Sequence, residues 1–168
     1  MQGNLGPGLR IVPAGDIKVV SKPWGWERWI AEGGPACPYM FKIIRIRAPH
    51  RTSLQFHEHK HESNHLLEGR AVLHYAEKKV DASRFKSGGY TAAELAELLS
   101  SIRVRPLASG DTVHVPPCCL HRIEAVDSDI TLIEASTDHA DDVFRIEDDT
   151  FRSHGRVAHE HAEEFSEG

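Results

Sequence analysis

"SLQFHEHKHESNHLLEG", residues 53–69, decides how the rest of the chain is read. It carries histidines at positions 57, 59, 61 and 65, behind a segment that alternates apolar and polar residues. Alternation of this kind predicts a strand over TSLQFHEHK, with Gln55, His57 and His59 on one face and Leu54, Phe56 and Glu58 on the other. Two residues apart on a strand, His57 and His59 stand roughly 7 Å from each other, a span two imidazoles can close around a divalent ion. Glu62 follows where the strand ends and offers a hard oxygen. His121, at the head of the strand after PPCCLH, can complete the set from an antiparallel neighbour. Imidazole with carboxylate suits Zn, Mn, Fe, Co or Ni without choosing among them. One such ion per chain is the expectation. An HxH pair also arises by chance, and the same stretch reads as a polar surface rich in imidazole. His50, His61, His65, His74 and His114 read as structural or exposed residues, and the HxH pair His159 and His161 as solvated.

Outward from this stretch the chain is strand-like. "MFKIIRIRA" (40–48) alternates apolar and basic residues, "HLLEGRAVLHY" (65–75) is two strands about a turn at Glu68–Gly69, and "DITLIEAS" is another strand. In "WGWERW" the spacing puts Trp24 and Trp26 on one side of a strand. "TAAELAELLSSI" (91–102) is the one clear helix: Thr91 caps it, Glu94 completes a capping box, and Leu95, Leu98, Leu99 and Ile102 form its apolar stripe. Short strands punctuated by Gly and Pro predict an all-β barrel or sandwich with one inserted helix. Residues 1–16 read as a flexible arm, 17–152 as a single domain with a helical insertion at about 77–103, and 153–168 as a mobile tail.

The bulk numbers agree. A chain of 168 residues, 40 % hydrophobic and 27 % charged, suits one globular domain. Its net charge of −5 and lack of a basic tract argue against nucleic acid as a partner. No apolar run approaches the roughly 20 residues of a membrane span, and the N-terminus lacks a signal-peptide pattern. Cys37, Cys118 and Cys119 are too few for a disulfide framework and fit a reducing cytoplasm.

The histidine stretch resembles the first sequence block of the cupin superfamily: His57-x-His59, then Glu62, six residues, and Gly69. Gly110, Pro116, Cys118, His121 and Ala125 stand at the spacings of the second block, with Cys118 and Ala125 where the family has glycine and asparagine. More narrowly, "KPWGWERW", "FKIIRIRAPHRTSLQFHEHKHES", "HVPPCCLHRIEA" and "LIEASTDHADDVFRIEDDTFR" resemble the cupin domain of type II mannose-6-phosphate isomerases and small cupins related to it. The resemblance implies an antiparallel double-stranded β-helix, a metal held by His57, His59, Glu62 and His121, and frequent dimerisation, for which Trp24, Trp26 and Trp29 are a candidate surface. It also implies that the insertion lies near the barrel mouth.

As an activity, the resemblance implies isomerisation of a sugar or sugar phosphate through a cis-enediol. Gln55, Lys42 and Arg145 would then bind the substrate, the two basic residues holding a phosphate. Glu134 would carry the proton, with its pKa raised by burial in an apolar barrel; the same residue also reads as a salt-bridged structural glutamate. Asp148 and Asp149 read as solvated or helix-capping. The same ligand set serves an Fe-dependent dioxygenase, and a barrel without turnover could simply bind a sugar or small acid.

Overall fold

A computed structural model describes residues 3–6, 8–35, 37–150, 152 and 155–156. His159 and His161, and most of the expected mobile tail, lie outside the described residues. Within residues 1–16, β1 (Gly3–Gly6) and β2 (Leu9–Ile11) pair as a small antiparallel ribbon where the sequence suggests only a loose arm. The main body is two antiparallel sheets of six strands each. The first has the order β10 (Thr112–Val115), β7 (Glu62–Glu68), β12 (Ile130–Thr137), β5 (Tyr39–Ile46), β4 (Gly25–Glu32), β3 (Lys18–Lys22). The second runs β14 (Gly155–Arg156), β13 (Phe144–Glu147), β6 (Leu54–Phe56), β11 (His121–Ala125), β8 (Arg70–Tyr75), β9 (Arg103–Ala108).

Strand parity builds the interior. Successive inward residues of β5 are Met40, Lys42, Ile44 and Ile46, and those of β12 are Ile130, Leu132, Glu134 and Ser136. Register pairs Glu134 with Lys42 on one side and with Asn64 on the other. The β12 row is therefore apolar at one end and polar at the other, and the β5 row sets Lys42 beside its polar end. Ile44, Ile46, Leu66, Ile130 and Leu132 meet Ala71, Leu73, Ile123 and Ala125 of the second sheet in the main core, with Trp24 among them. The polar ends gather at the opposite end of the barrel.

Trp24 and Trp26 do not share a face. Trp24 is buried in the core, whereas Trp26 lines an outer groove beside Arg28 and Arg47. Period two applies only within a strand, and β4 begins at Gly25, after Trp24. Trp29 is buried as well, so of the three tryptophans only Trp26 remains at the surface for a partner chain.

The helix expected at 91–102 is α2 (Ala92–Ser100), with Thr91 and Glu94 forming the anticipated capping box. A shorter helix, α1 (Ala82–Lys86), capped by Asp81, precedes it. The two do not overhang the barrel mouth. Phe85, Leu98, Leu99 and Ile102 pack on Leu54, Phe56 and Phe144, outward residues of the second sheet, and on Leu120 just before β11. Phe56 stacks on Phe144 with ring centroids 5.0 Å apart, and Phe85 meets Phe56 edge-on at 5.3 Å.

In the C-terminal acidic run Asp148 closes the sheet rather than facing water, whereas Asp149 is half exposed. Asp148, 2 % exposed, accepts hydrogen bonds from Arg152 (2.6 Å) and Thr150, and Arg145 lies 3.7 Å away. Asp149 takes both forks of Arg51. Burial pushes the Asp148 carboxyl up, but Arg152 and Thr150 outweigh it and hold the pKa at about 2. A depressed carboxylate stabilises the fold above its unfolded value of about 3.9, and the contribution is lost as pH falls through the folded value. Asp148→Asn is therefore expected to cost about 2 kcal/mol at pH 7, falling below about 0.5 kcal/mol by pH 2. Urea unfolding at several pH values checks this; a cost independent of pH would assign the loss to packing instead.

Candidate metal centre

At the polar end, His57, Glu62 and His121 converge: one ligand atom of each lies within 4.8 Å of the others, and all three side chains are buried. His121 heads β11, Glu62 opens β7, and His57 directly follows β6. Both imidazoles are oriented by backbone carbonyls. His57 Nδ1 donates to the Asp142 carbonyl and His121 Nδ1 to the Cys119 carbonyl at 3.0 Å. With Nδ1 as the donor, each neutral ring presents a lone pair at Nε2, the tautomer a metal ligand requires. His57 Nε2 lies 3.4 Å from Glu62 Oε2, and His121 Nε2 3.0 Å from Glu62 Oε1. His57 Nε2 is buried with no hydrogen-bond partner among the described residues. Lone pairs facing a carboxylate call for a proton or a cation between them, so the donor set fits a divalent ion. Two imidazoles and one carboxylate are the protein ligands of many catalytic zinc and non-haem iron sites.

His59 is not part of this group. Its side chain is 62 % exposed, beside Glu58 and His139. The reason is local: β6 stops at Phe56, so the alternation that would align His59 with His57 has already ended. Lys60 reaches the interior instead. Its ammonium bridges Glu62 Oε2 at 2.6 Å and Glu134 Oε1 at 2.7 Å, and the residue is 6 % exposed. Burial pushes this ammonium down, but the two carboxylates outweigh it and hold it above the usual lysine range.

Asp142 shapes the loop that carries His57. Its carboxylate accepts from the backbone N–H groups of Glu58 (3.1 Å), His59 (2.6 Å) and Lys60 (2.9 Å). Burial raises its pKa, and those N–H groups, together with His57, lower it further than burial raises it. The second ligand loop is tied to the first, because the Cys118 N–H donates to the His57 carbonyl at 2.6 Å. Cys118 adopts φ +66°, the left-handed turn conformation for which the cupin pattern carries glycine. Asp142→Ala removes three charge-assisted hydrogen bonds from the loop. It is expected to weaken metal binding about tenfold or more, as loss of support behind a ligand does. Titration with Co(II) tests this; an unchanged affinity would show that the loop holds its shape alone.

Of the other predicted site residues, Gln55, Lys42 and Glu134 line the same cavity as the three ligands. Lys42 is committed: Nζ donates to Glu27 Oε2 at 3.1 Å and sits 4.5 Å over the Trp29 ring. Glu134 accepts from Ser136 as well as Lys60. Its pKa is lowered, not raised as the sequence suggests. Burial pushes it up, but Lys60 and then Lys42 outweigh burial. Arg145 is 2 % exposed, pairs with Asp148, and is not among the residues lining the cavity. No residue of the insertion at 77–103 lines it either. Glu27, Lys60 and Asp142 are the participants that the motif spacing does not reveal. For Glu27 the signal is parity alone, two residues before the buried Trp29.

Known structures with this architecture include an oxalate decarboxylase–formate complex from Lactobacillus farciminis (TM-score 0.56, 15 % identity, 79 % of this chain and 34 % of that one). The capsular polysaccharide assembling protein CapF from Staphylococcus aureus is similar at TM-score 0.57 and 14 % identity, over 81 % of this chain and 37 % of CapF. Oxalate decarboxylase from Bacillus subtilis gives 0.58 and 14 %, over 79 % and 30 %. These are cupin-fold proteins, and the fold of this chain is a cupin fold. The matched regions span about a third of those longer chains. No protein-family model matches the sequence, and no curated protein matches it. The likeness to mannose-6-phosphate isomerase domains rests on the sequence blocks alone. Among the described residues no helix is long and apolar enough to cross a membrane.

Proposed function

We propose that the chain is a metal-dependent cupin enzyme that moves a proton between adjacent carbons of a small hydroxy-carbonyl compound, an aldose–ketose isomerase of the sugar class. The observation that carries this reading is the convergence of His57, Glu62 and His121 beside the Glu62–Lys60–Glu134 bridge inside one cavity. A divalent ion held by the three ligands would supply a Lewis acid to polarise a carbonyl. Glu134, kept ionised by Lys60 and Lys42, is the base positioned to take a proton from the neighbouring carbon. The Lys60 ammonium stands within hydrogen-bond reach of both carboxylates and keeps the pair charge-balanced. Gln55, held by Ser53 at 2.7 Å, lines the same cavity and is placed to orient a hydroxyl.

Charge and size narrow the substrate. Glu27, Glu62 and Glu134 face Lys42 and Lys60, so both ammoniums of the wall already have carboxylate partners. A phosphate would find no uncommitted cation there, which favours an unphosphorylated compound. The cavity of about 70 Å³ holds about five waters, the space of a two- or three-carbon fragment. The reacting end of a sugar fits inside, with any longer remainder in the mouth. The test is solvent deuterium incorporation into a panel of short and long aldoses by metal-loaded protein, with metal content measured on untagged protein. Exchange confined to the metal-loaded form supports the proposal; no exchange with any aldose and any of the five candidate metals would overturn it. The two-histidine, one-carboxylate set favours one second reading, oxygen chemistry at Fe(II). Oxygen uptake by the Fe-loaded protein would select that reading instead.

A further inference from the structure

Lys60 occupies the point where the candidate ligands and the candidate base meet, and the HxH–Glu spacing gives it no role. Its ammonium sits on Glu62 Oε2, the same oxygen that faces His57 Nε2 at 3.4 Å. An ion bound through Glu62 Oε2 beside His57 would share that oxygen with a buried ammonium, and two cations on one oxygen repel at short range. A second carboxylate, Glu134, lies on the other side of the same ammonium at 2.7 Å and can keep it when Glu62 is engaged.

Resting on the metal reading above, we propose that Lys60 sets the affinity of the centre. It is a resident counter-cation that keeps Glu62 and Glu134 paired when no ion is bound, and an ion enters as the ammonium shifts from Glu62 towards Glu134. Lys60 is thus a specificity-determining residue. It makes the metal-free chain a folded, charge-balanced form and makes loading weak and reversible. The centre then discriminates among divalent ions by how well they displace an ammonium from Glu62, in addition to ligand type.

The experiment is a titration of metal-stripped, untagged protein with Co(II), followed by calorimetry and visible absorption. Wild type is compared with Lys60→Met. Removing the ammonium leaves two buried carboxylates without the cation that bridges them, so Lys60→Met/Glu134→Gln is run beside it as a variant with only one. Near-UV circular dichroism verifies that each is folded. The expected result is Co(II) binding at least tenfold tighter in both variants than in wild type, with a larger rise in Tm on adding the ion. Binding to wild type with no gain in a folded variant would overturn the proposal and leave the metal reading standing. No binding to wild type or to either variant would overturn both.

Discussion

Glu62→Gln is expected to abolish the proposed metal binding and to destabilise the fold by about 3 kcal/mol. One carboxylate serves four neighbours: Lys60 at 2.6 Å, Asn64 and His121 at 3.0 Å each, and His57 at 3.4 Å. Lys60 and Asn64 donate to it, and the two imidazoles face it through Nε2. Burial alone would raise the Glu62 pKa, yet Lys60, His57 and His121 hold it well below the usual carboxylate range. The amide keeps the shape, removes the charge, and turns an NH₂ towards donors. Removing one member of a buried ion pair costs about 3–5 kcal/mol, and the lower end applies because Lys60 retains Glu134. Elemental analysis and urea unfolding read the two effects separately. A loss below about 1 kcal/mol would mean that water penetrates the pocket and screens these charges.

Gly25→Ala is expected to be as damaging for a different reason. A Cβ at this position would lie 1.9 Å from the Arg45 carbonyl oxygen and 2.9 Å from its carbon. Those atoms belong to the backbone of β5, which pairs with β4 in register Gly25↔Ile46, so no side chain can swing aside. Strands β4 and β5 would have to separate at the point where Trp24 enters the core. The expected loss is about 3 kcal/mol or more, with a lower Tm and much of the protein insoluble. Gly110→Ala is the control. Gly110 also has a positive φ, +97°, but nothing lies within 4 Å of the added carbon. It should cost only the backbone term of roughly 1–2 kcal/mol. Equal losses at the two positions would show that backbone conformation, not the close approach, is what matters at Gly25.

The fold was legible because strand parity and turn residues are local signals that tertiary packing then reinforced. β5, β7 and β8 lie where alternation and the Glu68–Gly69 turn put them, and the Thr91–Glu94 box marks the start of α2. Three of the four expected ligands converge for the same reason, since Glu62 and His121 stand at strand ends and His57 directly follows one. His59 was misplaced because parity was extended past the end of β6. No local rule marks that end; it is set by Asp142, 82 to 84 residues away in sequence, gathering the N–H groups of residues 58–60. Lys60 and the lowered pKa of Glu134 were missed together. A lysine reads as a surface residue until its two carboxylates are known to face inward, and that is a property of the sheet register, not of any one strand. Trp24 escaped the period-two rule because it sits in the turn before β4, which begins at Gly25.

The placement of α1 and α2 on the outer face of the second sheet separates two properties that often change together. Their contacts are with Phe56, Phe144 and Leu120, whose side chains point away from the cavity. The exposed Ser87–Gly88–Gly89 link between the helices is therefore a permissive position for grafting a peptide or reporter domain. Engineering there can retune heat tolerance through the aromatic cluster while the cavity at the other face of the same strands keeps its lining.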